Sequence, residues 1–542
     1  MKKKLALLLA MVMAVSLLGA CTPKEEGNSP APTGSSAGTP MEGGTVVVGL
    51  SYEPDIMDVY STHMMGDVTA TFIEGLAYPD ENMEWQPWLA TEIPTVDNGG
   101  IVLHDDNTMD VTWHLREGVK WHDGEPFTSA DVKFTWEALC NPDWNAESKG
   151  DAAYVDSIDC PNDYTVVCHF NRQTPDFMQS LFTFGIFPKH ICEGLDMNDP
   201  NNAYHLNPIG TGPFKFKEWK HGEYIEVVKN EDYWGEPAHL DSIVFRFITD
   251  ENTRISQLKS GEIDFAYGLS FQNYEEYANV EGTTTITQSM NSWRYLDFNC
   301  EVPGLDDVNV RHAISCAIDR QSIVDKLFNG IPTVWYQPWM STDPYHVDGF
   351  VSEWAYDPEK AAQILDDAGW VLNADGVREK DGVTLDFEIS CKTGSAVDEA
   401  IELVVIDALG KLGIKVTANN AAASTFTANM YEGKYELGCG GYITPPGATR
   451  SMMYSSTGAL NRGHWYNDEF DKLSHQIDVE MDDAARKELV AQALEVFDEG
   501  LPQLVLFNNA EVIVMNSKLK GVNLNPSNFT HFMNAQTWYL EQ

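Results

Sequence analysis

Basic residues are scarce in this 542-residue chain: 35 Lys and Arg stand against 82 Asp and Glu, a formal net charge of −47. A surface that acidic repels nucleic acid and anionic lipid head groups, so neither is a partner. Long apolar runs are also missing. The run Leu5–Leu18 has 14 residues, whereas a bilayer core needs about 20. There is no Gly-rich phosphate loop, no HExxH and no paired catalytic motif, which removes the sequence support for an enzyme. The nine cysteines form no CxxC and no Cys/His spacing that suits zinc. Cys160 and Cys168 flank Pro161-Asn162-Asp163 in a predicted hairpin, so a cross-strand disulfide stands beside the alternative of two free thiols. No metal and no cofactor is expected.

What is present begins at the amino terminus. Met1-Lys2-Lys3-Lys4, the apolar run and Gly19-Ala20 read as a secretory signal over 1–20. Leu18-Gly19-Ala20-Cys21 resembles the bacterial lipobox, which implies lipidation of Cys21 and a chain held at the outer face of the cytoplasmic membrane by lipid alone. Residues 21–42 are polar and rich in Pro, Ser and Gly, with no apolar period to support a core. They are expected to be a flexible linker. Order is predicted from Thr45-Val46-Val47-Val48, a β-branched run.

The remainder has 43% apolar content overall and enough length for two or three domains. Thr128-Ser129-Ala130-Asp131 is a capping box ahead of Val132, Phe134, Trp136 and Leu139. Asp357-Pro358 offers an N-cap and a first-turn proline, with Gly369 closing the helix. Ala313, Ile314, Ala317 and Ile318 keep one helical face, as do Leu489, Val490, Ala493, Leu494 and Phe497 before Gly500 and Pro502. Strands are predicted at 165–170, 224–229, 243–248 and 414–418. Interspersed helices and strands, with no internal repeat, indicate an α/β class with mixed sheets.

The segment Trp113-His114-Leu115-Arg116-Glu117-Gly118-Val119-Lys120-Trp121-His122-Asp123-Gly124-Glu125-Pro126-Phe127 resembles the signature of bacterial extracellular solute-binding protein family 5. That family includes the oligopeptide, dipeptide and nickel binders of ABC importers. The resemblance continues through Gly43–Gly49, Glu74-Gly75-Leu76, Gly210-Thr211-Gly212-Pro213-Phe214, Asn230–Gly235, Asn309–Ile314, Ala317–Arg320 and Tyr466–Asp471. It covers nearly the whole chain from residue 43. It implies a two-lobed periplasmic-binding-protein-like clamp of the type II, or cluster C, kind. Lobe I would comprise 43–78, 205–285 and 505–542, with an inserted subdomain at 79–204; lobe II would comprise 286–504. Segments near 285 and 505 would be the hinges. Gly210, Gly212 and Gly235 are expected at turns or close backbone approaches, and Arg311 and Asp319 in structural ion pairs.

The resemblance also places the ligand. In peptide-binding members the segment equivalent to Gly433–Ala448 crosses the cleft floor and supplies an Asp for the peptide ammonium. Here that position falls on or near Pro445, and no acid lies between Leu437 and Tyr466. Either another acid replaces it, with Glu53 or Asp55 as candidates beside Tyr52, or the ligand buries no free amino terminus. Tyr442 falls where the family sets an aromatic against the ligand; filling the lobe core is the alternative. Gly440 and Gly441 would admit a ligand close to the backbone. Trp335 and Trp339 lie in a Pro-flanked loop with Tyr336, and Trp293 opens lobe II with Tyr295; binding and core packing both remain open for them. Arg294, Arg450 and Arg462 are candidates to grip a carboxylate or to form ion pairs. His464 lacks a second histidine at ligand spacing.

Together these readings predict an exported, monomeric receptor that captures an oligopeptide or dipeptide and delivers it to an ABC permease and its ATPase. An oligosaccharide or a nickel chelate is the alternative solute. An enzyme or a sensor on the same clamp is the alternative of a different class.

Overall fold

The computed structural model describes residues 40–60, 66–146, 149–178, 181–527 and 531–541. Cys21, the signal segment and most of the linker therefore lie outside the described residues. The last residues assigned to the linker are not free: Pro40 and Met41 pair antiparallel with Glu541 and Leu540.

An 11-stranded mixed sheet runs through the molecule. At one end Phe214–Lys220, Tyr224–Lys229 and Ser242–Phe247 form an antiparallel meander, and Ser242–Phe247 then pairs in parallel with Thr45–Leu50. At the other end Asp386–Ser390 lies in parallel between Lys415–Ala418 and Leu437–Ile443. Two long antiparallel strands, Thr283–Phe298 and Gln503–Asn516, join the ends. Their pairing has two parts. Thr283–Ser289 matches Asn516–Ala510, and Trp293–Asp297 matches Asn508–Gln503, with a register shift between. The first part borders Phe265–Ala266 and the second borders Leu437–Ile443. Each part thus belongs to a different half of the molecule, and among the described residues this strand pair alone carries the sheet from one half to the other.

The cores do not all keep to one half. One contains Val46, Phe72, Trp113, Phe187, Phe245 and Trp538. A separate four-stranded antiparallel sheet, which includes Met109–His114 and Thr165–Phe170, shares that core. A second gathers Leu296, Val310, Ile314, Ile389 and Leu437 and also takes in Ile255, Ala266, Phe271 and Val514; a third gathers Trp293, Trp339, Tyr454 and Phe497. The result is a two-lobed α/β clamp with an insertion in its first lobe.

Local signals place the helices as read. Thr128 caps Ser129–Leu139, with Asp131 returning the bond to the Thr128 amide. Asp357 caps Pro358–Asp367, and Gly369 follows at φ 85°. The helix Asp483–Gly500 ends on Leu501 in the left-handed region at φ 41°. Gly500 is needed for space rather than for that conformation, since a Cβ there would sit 2.4 Å from the Trp465 ring. The strand predicted at 243–248 lies one residue earlier, and that at 414–418 begins at Lys415.

The structure decides one open alternative and corrects one expectation. Cys160 and Cys168 are free thiols; Cys168 stands across from Ile158, while Cys160 Sγ donates to the Ser129 carbonyl. Arg311 and Asp319, expected in structural ion pairs, form none among the described residues. The Arg311 guanidinium donates to the carbonyls of Leu305, Gly500 and Leu501, and Asp319 instead caps Arg320–Leu327 through the Ser322 amide. No helix among the described residues is long and apolar enough to cross a membrane.

Candidate functional site

The landmark motifs converge away from the cleft. Glu74 is 1% exposed and accepts from Thr211 Oγ1 at 2.7 Å, Tyr233 Oη at 2.7 Å and Trp234 Nε1 at 2.9 Å. His122 Nδ1 accepts from the Gly210 amide, and its Nε2 donates to the Gly212 carbonyl, both at 3.1 Å. Burial holds the His122 pKa down at about 4, which keeps the ring neutral and suits one accepting and one donating nitrogen. Gly210 and Gly212 press on the Phe72 backbone: a Cβ at Gly210 would lie 1.7 Å from the Phe72 carbonyl oxygen. These residues tie the insertion to the first lobe.

Where the two crossing strands change register, ladder bonds give way to side chains. Asn508 is buried and donates to the carbonyls of Met290 and Ser292 at 2.6 and 2.9 Å; its Oδ1 accepts from Ser341 Oγ at 2.5 Å. Asn291 donates to the Thr444 carbonyl at 2.7 Å. Such a bulge is a local break in an otherwise continuous ladder. It lies at the boundary between the halves.

A cavity of about 500 Å³ opens beside this break. Glu251, residues 268–272 and residues 509–511 form one wall; Trp293, Arg294, residues 395–397 and residues 441–443 form the other. A second cavity, of about 750 Å³, lies between the insertion and the far half, with Trp85 and Asp176 on one side and Tyr345 and Arg486 on the other. Arg486 grips Asp176 with both nitrogens, Nη1 to Oδ1 at 2.8 Å and Nη2 to Oδ2. Charged ends joined in this parallel fashion are stronger than single hydrogen bonds.

The structure distributes the sequence-based site residues unevenly. Tyr442 is half-buried at the first cavity, its ring 5.1 Å from Tyr295 and 5.5 Å from Trp293, with the Arg462 guanidinium 4.9 Å from its centre. Trp293 also borders the cavity, but its side chain is fully buried and Nε1 donates to Gln503 at 2.9 Å. Gln503 in turn donates to Asp297 at 3.0 Å, so Trp293 is anchored in the core. Gly441 is exposed at the cavity. Gly440 is buried, and a Cβ there would meet Tyr295 Oη at 2.8 Å; it makes room for Tyr295, not for a ligand.

Several candidates are committed elsewhere. Trp339 is 1% exposed and its Nε1 donates to the Ala448 carbonyl. Trp335 donates to the Trp339 carbonyl. Arg450 pairs with buried Asp343 at 3.0 Å and also donates to the carbonyls of Pro338, Gly447 and Thr449. An acid does stand near Pro445, therefore, but Asp343 is neutralised by Arg450. Glu53 accepts from Trp219 Nε1, from the Gly222 amide and from His221, which binds it to the tight turn at 220–223. Tyr52 donates to Asp67. Arg294 pairs with Asp398 at 3.0 Å and His464 with Glu301 at 2.8 Å. No group of three metal-ligating side chains occurs among the described residues.

Sequence reasoning missed Glu511, which lines the first cavity. His531 donates from Nε2 to Glu511 Oε2 at 2.6 Å, and its ring lies 5.2 Å from that of Tyr267. Tyr267 and Tyr52 both donate to Asp67. These five residues come from five separate stretches of chain, and no local motif announces them.

Two halves joined by one broken strand pair, with cavities along their boundary, define the class: a clamp that holds a solute. Comparison with known proteins agrees. A model of bacterial extracellular solute-binding proteins, family 5 middle region, matches residues 84–463. The chain is 30% identical over 556 residues to the oligopeptide-binding protein AppA of Bacillus subtilis strain 168, covering 99% of each. The structure of Bacillus subtilis AppA in complex with a nonapeptide aligns at TM-score 0.76 and 27% identity, covering 93% of this chain and all of that one. NikZ from Campylobacter jejuni in complex with Ni(L-His) aligns at TM-score 0.76 and 26% identity, covering 91% and 99%. The chain belongs to bacterial extracellular solute-binding protein family 5.

Proposed function

We propose that this protein captures an oligopeptide in the cleft between its lobes and presents it to the permease of an ABC importer. The observation that carries the reading is the cavity at the register break, walled by both halves and bordered by Tyr442. End-to-end similarity to an oligopeptide-binding protein supports the choice of solute. Lobe I is assigned to 40–78, 205–289 and 510–542, the insertion to 79–204 and lobe II to 293–507. Met290–Ser292 and Asn508–Asn509 are the hinge, because ladder bonds are replaced there by rotatable side-chain bonds. Cys21 is the site of lipidation, residues 22–39 are the tether, and the receptor acts as a monomer without catalysis.

A ligand that binds only the folded state raises stability by about 2.7 kcal/mol at a hundredfold excess over its dissociation constant. A thermal-shift series should therefore rise with peptides of two to nine residues and stay flat with oligosaccharides. Nickel–histidine complexes belong in the series because of the likeness to NikZ. A shift with sugars or chelates and none with peptides would reject the peptide assignment.

A further inference from the structure

The oligopeptide reading leaves one chemical demand open: a peptide brings a cationic group into the cleft, and Leu437–Ile443 carries no acid to meet it. Three charged side chains border the 500 Å³ cavity: Arg294, Glu251 and Glu511. Arg294 is already neutralised by Asp398 at 3.0 Å. Glu251 Oε1 is taken by the Ser270 amide and hydroxyl and by Asn273 Nδ2. Glu251 and Glu511 each keep one oxygen, Oε2 and Oε1, without a donor among the described residues, and of the two Glu511 stands on the crossing strand Gln503–Asn516 beside the register break. The Glu511 side chain is only 12% exposed, and its Oε2 accepts from His531. Oε1 lies 3.8 Å from where a Cβ on Gly268 would stand, and Gly268 itself borders the cavity without a side chain to cover the acid.

Oε1 is not among the buried polar atoms that lack partners, so it is reachable from the cavity while Oε2 is held from behind. The surroundings reinforce it. His531 Nδ1 and Asp67 Oδ1 are buried without partners among the described residues. Burial alone would pull the His531 pKa down, but the charge and hydrogen bond of Glu511, with Asp67 behind, raise it. His531 is thus the positioning residue that aims Glu511, and the Tyr52–Asp67–Tyr267 cluster supports it from behind.

We propose that Glu511 Oε1 receives the cationic group of the captured peptide, either its terminal ammonium or a basic side chain, in place of an acid on the cleft-floor strand. This rests on the oligopeptide reading and adds the group that selects within it. The two sources share the same chemistry: an N–H cation donating to a carboxylate.

The test is titration calorimetry of wild type, Glu511→Gln and Glu511→Asp with three versions of one peptide that wild type binds. One has a free amino terminus and no basic residue, one is acetylated and neutral, and one is acetylated with a single lysine. Glu511→Gln is expected to weaken one cationic version by about tenfold or more and to leave the neutral version within threefold. Loss confined to the first assigns the terminal ammonium; loss confined to the third assigns the side chain. Glu511→Asp keeps the charge and is expected to retain the same ranking of the three as wild type. Equal weakening of all three versions, or no change in any, overturns the assignment while leaving peptide binding intact. A wild-type protein that binds no peptide overturns both.

Discussion

The contact between Asp176 and Arg486 joins stretches 310 positions apart, one in the proposed insertion and one in the proposed second lobe, so under that assignment opening the clamp breaks it. The two side chains are 13% and 3% exposed, so solvent screens the pair little. Arg486 has other holds on its own side: Nε donates to the Ile477 carbonyl at 3.0 Å, and the guanidinium lies 5.2 Å from the Tyr345 ring centre. Asp176→Asn therefore leaves a fixed, buried cation facing a neutral amide. Removing one partner of a buried pair costs about 3–5 kcal/mol when the other charge stays enclosed. Here the protein has a cheaper response: it opens and lets water reach Arg486. A penalty of about 3 kcal/mol lowers the closed-to-open ratio by roughly two powers of ten, and affinity falls with the closed fraction. We expect Asp176→Asn to weaken peptide binding about 10- to 100-fold and to enlarge the radius of gyration in X-ray scattering. Arg486→Met in the same background should recover part of both losses, because no unpaired charge remains. Unchanged scattering with affinity within threefold of wild type would refute the reasoning. Strictly additive effects of the two substitutions would also refute it, since a coupled pair must deviate from additivity.

Tyr442→Ala should weaken peptide affinity by about tenfold or more while leaving the melting temperature nearly unchanged, since the ring is half-buried at the cavity; calorimetry and thermal melts that show the reverse would return Tyr442 to the core. His122 gives a pH dependence whose sign is fixed. Its folded pKa is about 4 against 6.5 for the free side chain, so the unfolded chain protonates first as pH falls, and stability is lost between those values. The loss is on the order of 3 kcal/mol across the window. Asp297 works oppositely, because burial raises its pKa to about 6, so the comparison is wild type against His122→Asn in urea melts at pH 7, 6 and 5. Parallel pH profiles for the two would reject the role given to His122.

Much of the fold was legible because its signals are local. Thr128 and Asp131, or Asp357 and Pro358, settle a helix start within four residues, and the structure places those helices there. The glycines at 210 and 212 were legible as close approaches, though not what they approach, since Phe72 lies far upstream in the chain. The cleft was read less well for the same reason. Trp339 and Arg450 looked available to a ligand because tryptophan and arginine dominate binding surfaces. In the structure Trp339 finds the Ala448 carbonyl, and Arg450 finds Asp343 and stacks 5.6 Å from the Trp339 ring. That mutual satisfaction depends on loops more than 100 residues apart, and nothing in either loop encodes it alone. Glu511 and His531 were missed outright. They lie 20 residues apart with no motif between them, and only the sheet and the C-terminal loop bring them together.

The separation between the motifs and the cleft has a physical consequence. The recognisable residues satisfy one another: Glu74 takes Thr211, Tyr233 and Trp234, and His122 takes Gly210 and Gly212. Every one of those bonds lies on the first-lobe side of the register break, so closing the clamp does not disturb them. The groups that border the cavity answer to different constraints. Tyr442 rests against Trp293, Tyr295 and Arg462, and Glu511 against His531. A change of solute can therefore be made at the cavity without disturbing the bonds that hold the insertion to its lobe. A change at Glu74 strands the buried Thr211 hydroxyl, at a cost of about 1–3 kcal/mol, and two part-buried donors on Tyr233 and Trp234, whatever the solute. That is why the family is legible from the motifs while the solute has to be argued from Glu511, Tyr442 and the cavity between them.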